Sequence, residues 1–184
     1  MPKYPFPQSA RLRFRSWIKA DSLPFAALNA DPEVRAHFPS VLTKEESDRG
    51  IRRFQEIYEE AGYTFYAVEV AETQDFIGFI GLIPLDIEVN FASGIEIGWR
   101  LKRSAWGQGY ATEGAKACLE LAFSELKAPE IYSFTATSNR RSERVMQRIG
   151  MKHTGEFDHP KLTPGHPLER HVLYRITSEE FSHS

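Results

Sequence analysis

The chain has 184 residues with 41% hydrophobic and 26% charged side chains, the size and balance of one water-facing domain with a real core, so no second domain is needed. A net charge of −2 does not suggest a general attraction to nucleic acid, and no apolar run approaches the ~18 residues of a membrane span. Cys118 is the only cysteine, which excludes an internal disulfide or a cysteine metal cluster, and the proline-rich start MPKYPFPQSA has no apolar signal core, so the cytoplasm is the expected location.

Ala10–Trp17 alternates Leu12 and Phe14 with arginines and reads as a first strand. Asp21–Asn29 reads as a helix capped by Asp21, and Asp31-Pro32 opens a further short helical turn. Thr43-Lys44-Glu45-Glu46 is a capping box that starts a helix running to Ala61 and stopping at Gly62. Tyr63–Val70 and Phe76–Leu85 are expected strands joined by a polar turn, and Phe91–Leu101 a fourth.

The segment IEIGWRLKRSAWGQGYATE, Ile95–Glu113, carries the clearest chemistry. An apolar strand runs into Gly107 and Gly109, and a helix starts at once, leaving backbone N–H groups exposed where a phosphate can sit. Taken alone, the two glycines can equally be turn punctuation. The segment is not a P-loop, because no Lys-Ser/Thr pair follows a second glycine, and Thr112 stands where a dinucleotide fingerprint has its third glycine. The helix puts Ala111, Ala115, Cys118, Ala122 and Leu126 on one face and charged residues on the other, so Cys118 is read as core filling.

Ile131–Thr137 is an expected fifth strand. The next helix places Ser142, Val145, Met146 and Ile149 on one face and arginines elsewhere, and Gly150 ends it. His153–Phe157 and Arg170–Ile176 read as the last strands, separated by a long loop. His159, His166 and His171 lie late in the chain without the spacing of a metal site, so no metal is expected; packing or lining of an acceptor pocket by His159 or His171 are the readings open to them.

Together, EIGWRL, WGQGYATEG and the pattern N-x-x-S-x-x-V-M-x-x-x-G-M resemble the GNAT acetyltransferase superfamily, and WGQGYATE is most similar to its Rim-type branch of ribosomal-protein N-terminal acetyltransferases. The resemblance covers roughly Ala10 to Ile176 and implies a single α/β (α+β) domain. Its sheet would be mixed and mostly antiparallel, with six or seven strands, flanking helices and a splay between strands 4 and 5. It implies acetyl-CoA as cosubstrate and an amine acceptor, a protein N-terminus or a small-molecule amine, with no nucleic-acid or membrane partner, in a monomer or homodimer.

By the same resemblance, the backbone of Trp99, Arg100 and Leu101 would bind the pantetheine arm. The segment Trp106, Gly107, Gln108, Gly109, Tyr110, Ala111 and Thr112 would cradle the diphosphate. The family's Gln or Arg three residues before the first glycine is replaced by Ser104, leaving the adjacent Arg103 for a phosphate contact or for solvent. Asn139 would touch the cofactor or cap its helix, and Trp99 and Trp106 would shape the cleft. Glu96 is the candidate base, with an exposed or cross-strand role as the alternative. Met146 stands where many relatives have an acidic tyrosine, which leaves Ser142 as a candidate donor to the leaving sulfur. The same replacement keeps open a non-catalytic acyl-CoA-binding module.

Overall fold

The structure, a computed structural model, describes residues 3–85, 87 and 94–182. Seven strands form one sheet: β1 (Leu12–Arg15), β2 (Phe65–Val70), β3 (Phe76–Pro84), β4 (Ile95–Leu101), β5 (Glu130–Ala136), β6 (Lys152–Asp158) and β7 (Arg170–Thr177). Five helices accompany them: α1 (Ser22–Ala30), α2 (Lys44–Ala61), α3 (Tyr110–Ser124), α4 (Arg140–Arg148) and α5 (Ser178–Ser182). The order across the sheet is β1-β2-β3-β4-β5-β7-β6, antiparallel except where β4 runs parallel to β5. The expected mixed, mostly antiparallel sheet with flanking helices is therefore present, at seven strands. No helix of the described residues is long and apolar enough to cross a membrane.

Directly paired residues share a face of a sheet, so the register assigns the layers. Ile80, Leu82, Ile97, Ile131, Val172 and Ile176 face α3 and α4 in the larger core, which also holds Cys118 and Met146. On the other face, Phe65, Ala67 and Phe79 pack with Trp17, Phe25, Leu28 and Ile51 under α1 and α2. A smaller cluster of Tyr132, Phe157 and Leu173 lies farther along that second face. Burial pushes the Cys118 thiol up, so it stays protonated core filling.

Several local expectations hold for stated reasons. Thr43 Oγ1 accepts from the Glu46 N–H at 3.2 Å while Glu46 Oε2 accepts from the Thr43 N–H at 2.8 Å, and Gly62 closes α2 with φ 87°. Others are corrected. Asp21 does not cap α1; its carboxylate takes both terminal nitrogens of Arg15 at 2.7 Å and the Ile18 N–H at 2.9 Å. A bidentate guanidinium is the stronger partner, and it outcompetes the helix end. The segment after Asp31 forms consecutive turns rather than a helix, with the Asp31 side chain accepting from Glu33 N–H. The described part of the fourth strand starts at Ile95, and Phe91 lies outside the described residues. Helix α3 ends at Ser124 rather than Leu126, and α5 was not expected from the sequence.

Helix α3 rests on the sheet through Gly114, where an added Cβ would lie 2.4 Å from Ile80 Cδ1 and 3.1 Å from Leu12 Cδ1. A valine at this position must push the helix off the sheet. Gly114→Val is expected to cost about 1–3 kcal/mol of stability, read as a lower urea midpoint with unchanged slope.

Candidate active site

Strands β4 and β5 are paired only at Ile95–Ile131 and Glu96–Tyr132. Beyond that point they diverge, and the buried Ser133 hydroxyl donates to the Ile97 carbonyl at 2.9 Å, fixing the apex of the opening. The phase of β4 follows from two bonds: Lys102 N–H donates to Ile77 of β3, whereas the Ile97 carbonyl faces β5. With a period of two and no register shift against β3, the N–H and C=O groups of Trp99 and Leu101 turn toward the opening, and those of Arg100 serve the β3 ladder. Trp106 Nε1 donates to the Leu101 carbonyl at 2.9 Å, so Trp99 and the Leu101 N–H supply the exposed edge.

The mouth of the opening is a short turn, Arg103–Ala105, followed by Gly107 at φ 75° and Gly109 at φ 80°. Left-handed backbone at both positions requires glycine at little strain. No side chain caps α3, and its first backbone bond is Glu113 N–H to the Gly109 carbonyl, so the N–H groups of Tyr110, Ala111 and Thr112 have no intrahelical acceptor. A Cβ built on Gly107 would meet nothing within 4 Å, so the space above the turn is open. Gln108 is exposed at its tip.

Cations surround this open helix end. Arg11 lies 4.8 Å from the Tyr110 ring and pairs with Glu113 at 2.6 Å, and Arg141 lies 4.4 Å from the Trp106 ring. The sequence reading missed both, because neither belongs to the glycine segment. Arg103 instead pairs with Glu33 at 2.8 Å, both more than half exposed. An exposed pair of this kind holds loosely.

Asn139 caps α4: its Oδ1 accepts from Ser142 N–H at 3.3 Å, while Nδ2 donates to Thr135 Oγ1 at 2.9 Å and Ser142 Oγ at 3.2 Å. Ser142 Oγ thus accepts from Asn139 and keeps its own proton available to donate. Met146 is 1% exposed in the core, one turn farther into α4.

Glu96, Gly98 and Arg100 occupy the face of β4 that lies between the clusters of Phe79 and Tyr132. Glu96 leans along the strand, with Oε1 3.7 Å from the point that a Cβ on Gly98 would take. That Cβ would also come 2.8 Å from Phe65 Cζ, so glycine at 98 leaves room for the carboxylate. The loop from Asp31 to Leu42 covers this region and touches both walls: Glu33 reaches Arg103, and His37 Nδ1 lies 3.1 Å from Ser138 Oγ. Desolvation, then the charge of Arg141, push His37 below its ordinary value, favouring the neutral ring.

His159 and His171 lie on the Tyr132 side of the same sheet face, rings 4.8 Å apart and packed with Phe134 and Phe157. His166 accepts from Leu168 N–H within its loop. Among the described residues no three His, Cys, Asp or Glu side chains gather as metal ligands.

A domain model described as "Acetyltransferase (GNAT) domain" matches residues 11–152. The chain belongs to the GNAT acetyltransferase family. It is 30% identical over 145 residues to the Bacillus subtilis protein YkkB, covering 78% of this chain and 83% of that one. A GNAT-family acetyltransferase structure from Bacillus anthracis superposes with TM-score 0.79 at 26% identity, over 95% of this chain and 99% of the other. The Vibrio cholerae spermidine N-acetyltransferase, solved in complex with CoA and spermine, shares the fold at TM-score 0.73 and 17% identity, over 94% and 98% of the two chains.

As a family member the chain is an acetyl-CoA-dependent N-acetyltransferase, and its residues fit that cosubstrate. The open helix end with two left-handed glycines suits a diphosphate, and the unpaired edge at Trp99 and Leu101 suits an amide-bearing arm. Ser133 holds the apex between them. Ser133→Ala leaves the Ile97 carbonyl without its side-chain donor and is expected to destabilise the protein by about 1–3 kcal/mol, measured by thermal or urea unfolding.

Proposed function

We propose that this GNAT enzyme transfers the acetyl group of acetyl-CoA directly to a primary amine within a ternary complex. The observation that carries the reading is the paired arrangement at one opening: an uncapped helix end at its mouth and a carboxylate, Glu96, beside its apex. The diphosphate would lie on the N–H groups from Trp106 to Thr112, helped by Arg11 and Arg141 and by the helix dipole. Trp99 and Leu101 would hold the pantetheine arm as an added strand. Asn139 would serve that side of the cleft through its cap on α4, and Arg103 through its hold on the acceptor loop.

The chemistry follows from what an amine requires. Glu96, directly or through one water, takes a proton from the ammonium group, and the freed nitrogen attacks the thioester carbon. As the carbon–sulfur bond breaks, the nitrogen, positively charged since its attack, gives up a proton that passes to the departing sulfur to leave a thiol, and Ser142 donates a hydrogen bond to that sulfur. A serine hydroxyl is too weak an acid to protonate outright a thiolate whose thiol has a pKa of about 8.5, so its role is to steady the sulfur. Approach of the two reactants in a closed site supplies much of the remaining acceleration.

The WGQGYATE segment supports placement in the Rim-type branch, with a protein N-terminal amine as acceptor and the cytoplasm as location. The second reading, an acyl-CoA-binding module without turnover, is favoured only by the buried Met146.

Purified protein incubated with acetyl-CoA and a panel of amines is expected to release free thiol with the correct amine. Tight CoA binding with release no faster than hydrolysis for every amine would leave the binding module standing. Gly109→Glu places a strained, negatively charged side chain in the cradle and is expected to weaken CoA binding at least about a hundredfold by calorimetry; retained affinity would mean the diphosphate sits elsewhere. Glu96→Gln is expected to lower kcat at neutral pH by about 10²–10⁴ with CoA affinity kept. An unchanged rate would remove Glu96 from the proton transfer.

A further inference from the structure

Over the acceptor face of β4 lie two cations, Arg100 of the strand and Arg35 of the covering loop, that no described carboxylate holds in an ion pair. Arg100 shares that face with Glu96 and Gly98, and its guanidinium carbon lies 4.3 Å from the Phe38 ring centroid and 5.2 Å from that of Phe79. Its Nη1 donates to Asn29 Oδ1 at 2.9 Å, but its Nε is buried and has no hydrogen-bond partner among the described residues. Arg35, 8% exposed, places its guanidinium 4.3 Å from the same Phe38 centroid and donates from Nε to the Ser40 carbonyl. Neither arginine forms an ion pair with a described carboxylate; Glu46 acts on Arg35 only at longer range.

The rest of the molecule treats buried arginine differently. Arg15, on the same face of the protein's first strand as buried polar partners, is held by both Asp21 and Glu69. Two like charges against one aromatic ring repel, and cation–π contact offsets only part of the cost of burying them. Burial, then the charge of Arg35, push the Arg100 guanidinium down to about 9. A buried donor left open beside a second cation is a site short of an acceptor.

We infer that Arg100 and Arg35 form an anion receptor that selects an amine acceptor carrying a carboxylate or phosphate group. The inference rests on the acetyl-transfer reading above and names the substrate class of that site. Arg100 lies two residues beyond Gly98, over which the Glu96 carboxylate leans, so receptor and base project from backbone positions about 7 Å apart on one face of the strand. That span suits a flexible acceptor with the two groups separated by about four carbons. It opposes a polyamine, whose second ammonium would meet Arg100.

The test compares acceptors of equal length. Acetyl transfer to 5-aminopentanoate is expected to exceed that to pentylamine and to 1,5-diaminopentane at least tenfold in kcat/KM, with 3-aminopropyl phosphate as the phosphate arm. Arg100→Gln and Arg35→Gln should each reduce that preference to below threefold. A preference for the diamine, or an undiminished ratio in Arg100→Gln, overturns the receptor. A readout independent of turnover follows the side-chain Nε–H resonance of Arg100 in the wild-type protein during titration with glutarate and with inorganic phosphate. A saturable shift for one of them is expected, and no shift for either overturns the proposal even if acetyl transfer proceeds. If the shift appears while no amine is acetylated, the receptor stands and the acetyl-transfer reading fails.

Discussion

The early parting of β4 from β5 is the constraint on which the site depends. Only Ile95–Ile131 and Glu96–Tyr132 are paired before the strands separate. A parallel pair that continued would satisfy its backbone internally and leave nothing to bind. The Ser133 bond to the Ile97 carbonyl closes the ladder with one buried side chain and frees the groups above it. Those free groups end at Leu101, and helix α3 starts at Tyr110 after one short turn, so a single interruption of the sheet brings an unpaired backbone edge and an uncapped helix end to one opening.

The same interruption separates two kinds of chemistry by strand alternation. Odd-numbered backbone groups of β4 face the opening, while the side chains of Glu96 and Arg100 lie on the sheet face that the loop from Asp31 to Leu42 covers. A strand can therefore hold a cosubstrate by its backbone and choose an acceptor by its side chains, with no residue asked to do both. Gly98 between them is bare for packing reasons: Phe65 occupies the space its Cβ would need.

Signals local in sequence were legible. The Thr43/Glu46 box, the Gly62 stop and the glycines before α3 each specify backbone geometry within a few residues, and the structure has all of them. The apolar faces of α3 and α4 were equally readable, because helical period alone decides which residues meet the sheet. Competition between distant partners was not. Asp21 is a good cap in isolation, but Arg15 arrives from β1 and takes its carboxylate. Asn139 does cap its helix, and its spacing to Ser142 foretold that much. Ser133 reads as an ordinary strand residue, since nothing in its neighbours shows that the next strand bends away. The surroundings of the Arg100 side chain were missed for a related reason: EIGWRL specifies a strand, and what its guanidinium meets depends on Phe38 and Asn29 from a different part of the chain.

The loop from Asp31 to Leu42 shows which contacts hold the acceptor side in place. Its Arg103–Glu33 pair is exposed at both ends and contributes at most about 1 kcal/mol. The His37–Ser138 contact lies near the surface and changes with ring protonation. Val34, 8% exposed in the α1–α2 core, and the Leu42 N–H bond to the Asn29 carbonyl are less open to water. Asn29 also accepts from Arg100 and donates to Ser47, so one fully buried amide ties the loop's end, helix α2 and strand β4 together. The loop is thus anchored at its base and weakly tethered at its tips. That distribution lets the tips yield to an entering acceptor while the groups that would orient it stay fixed.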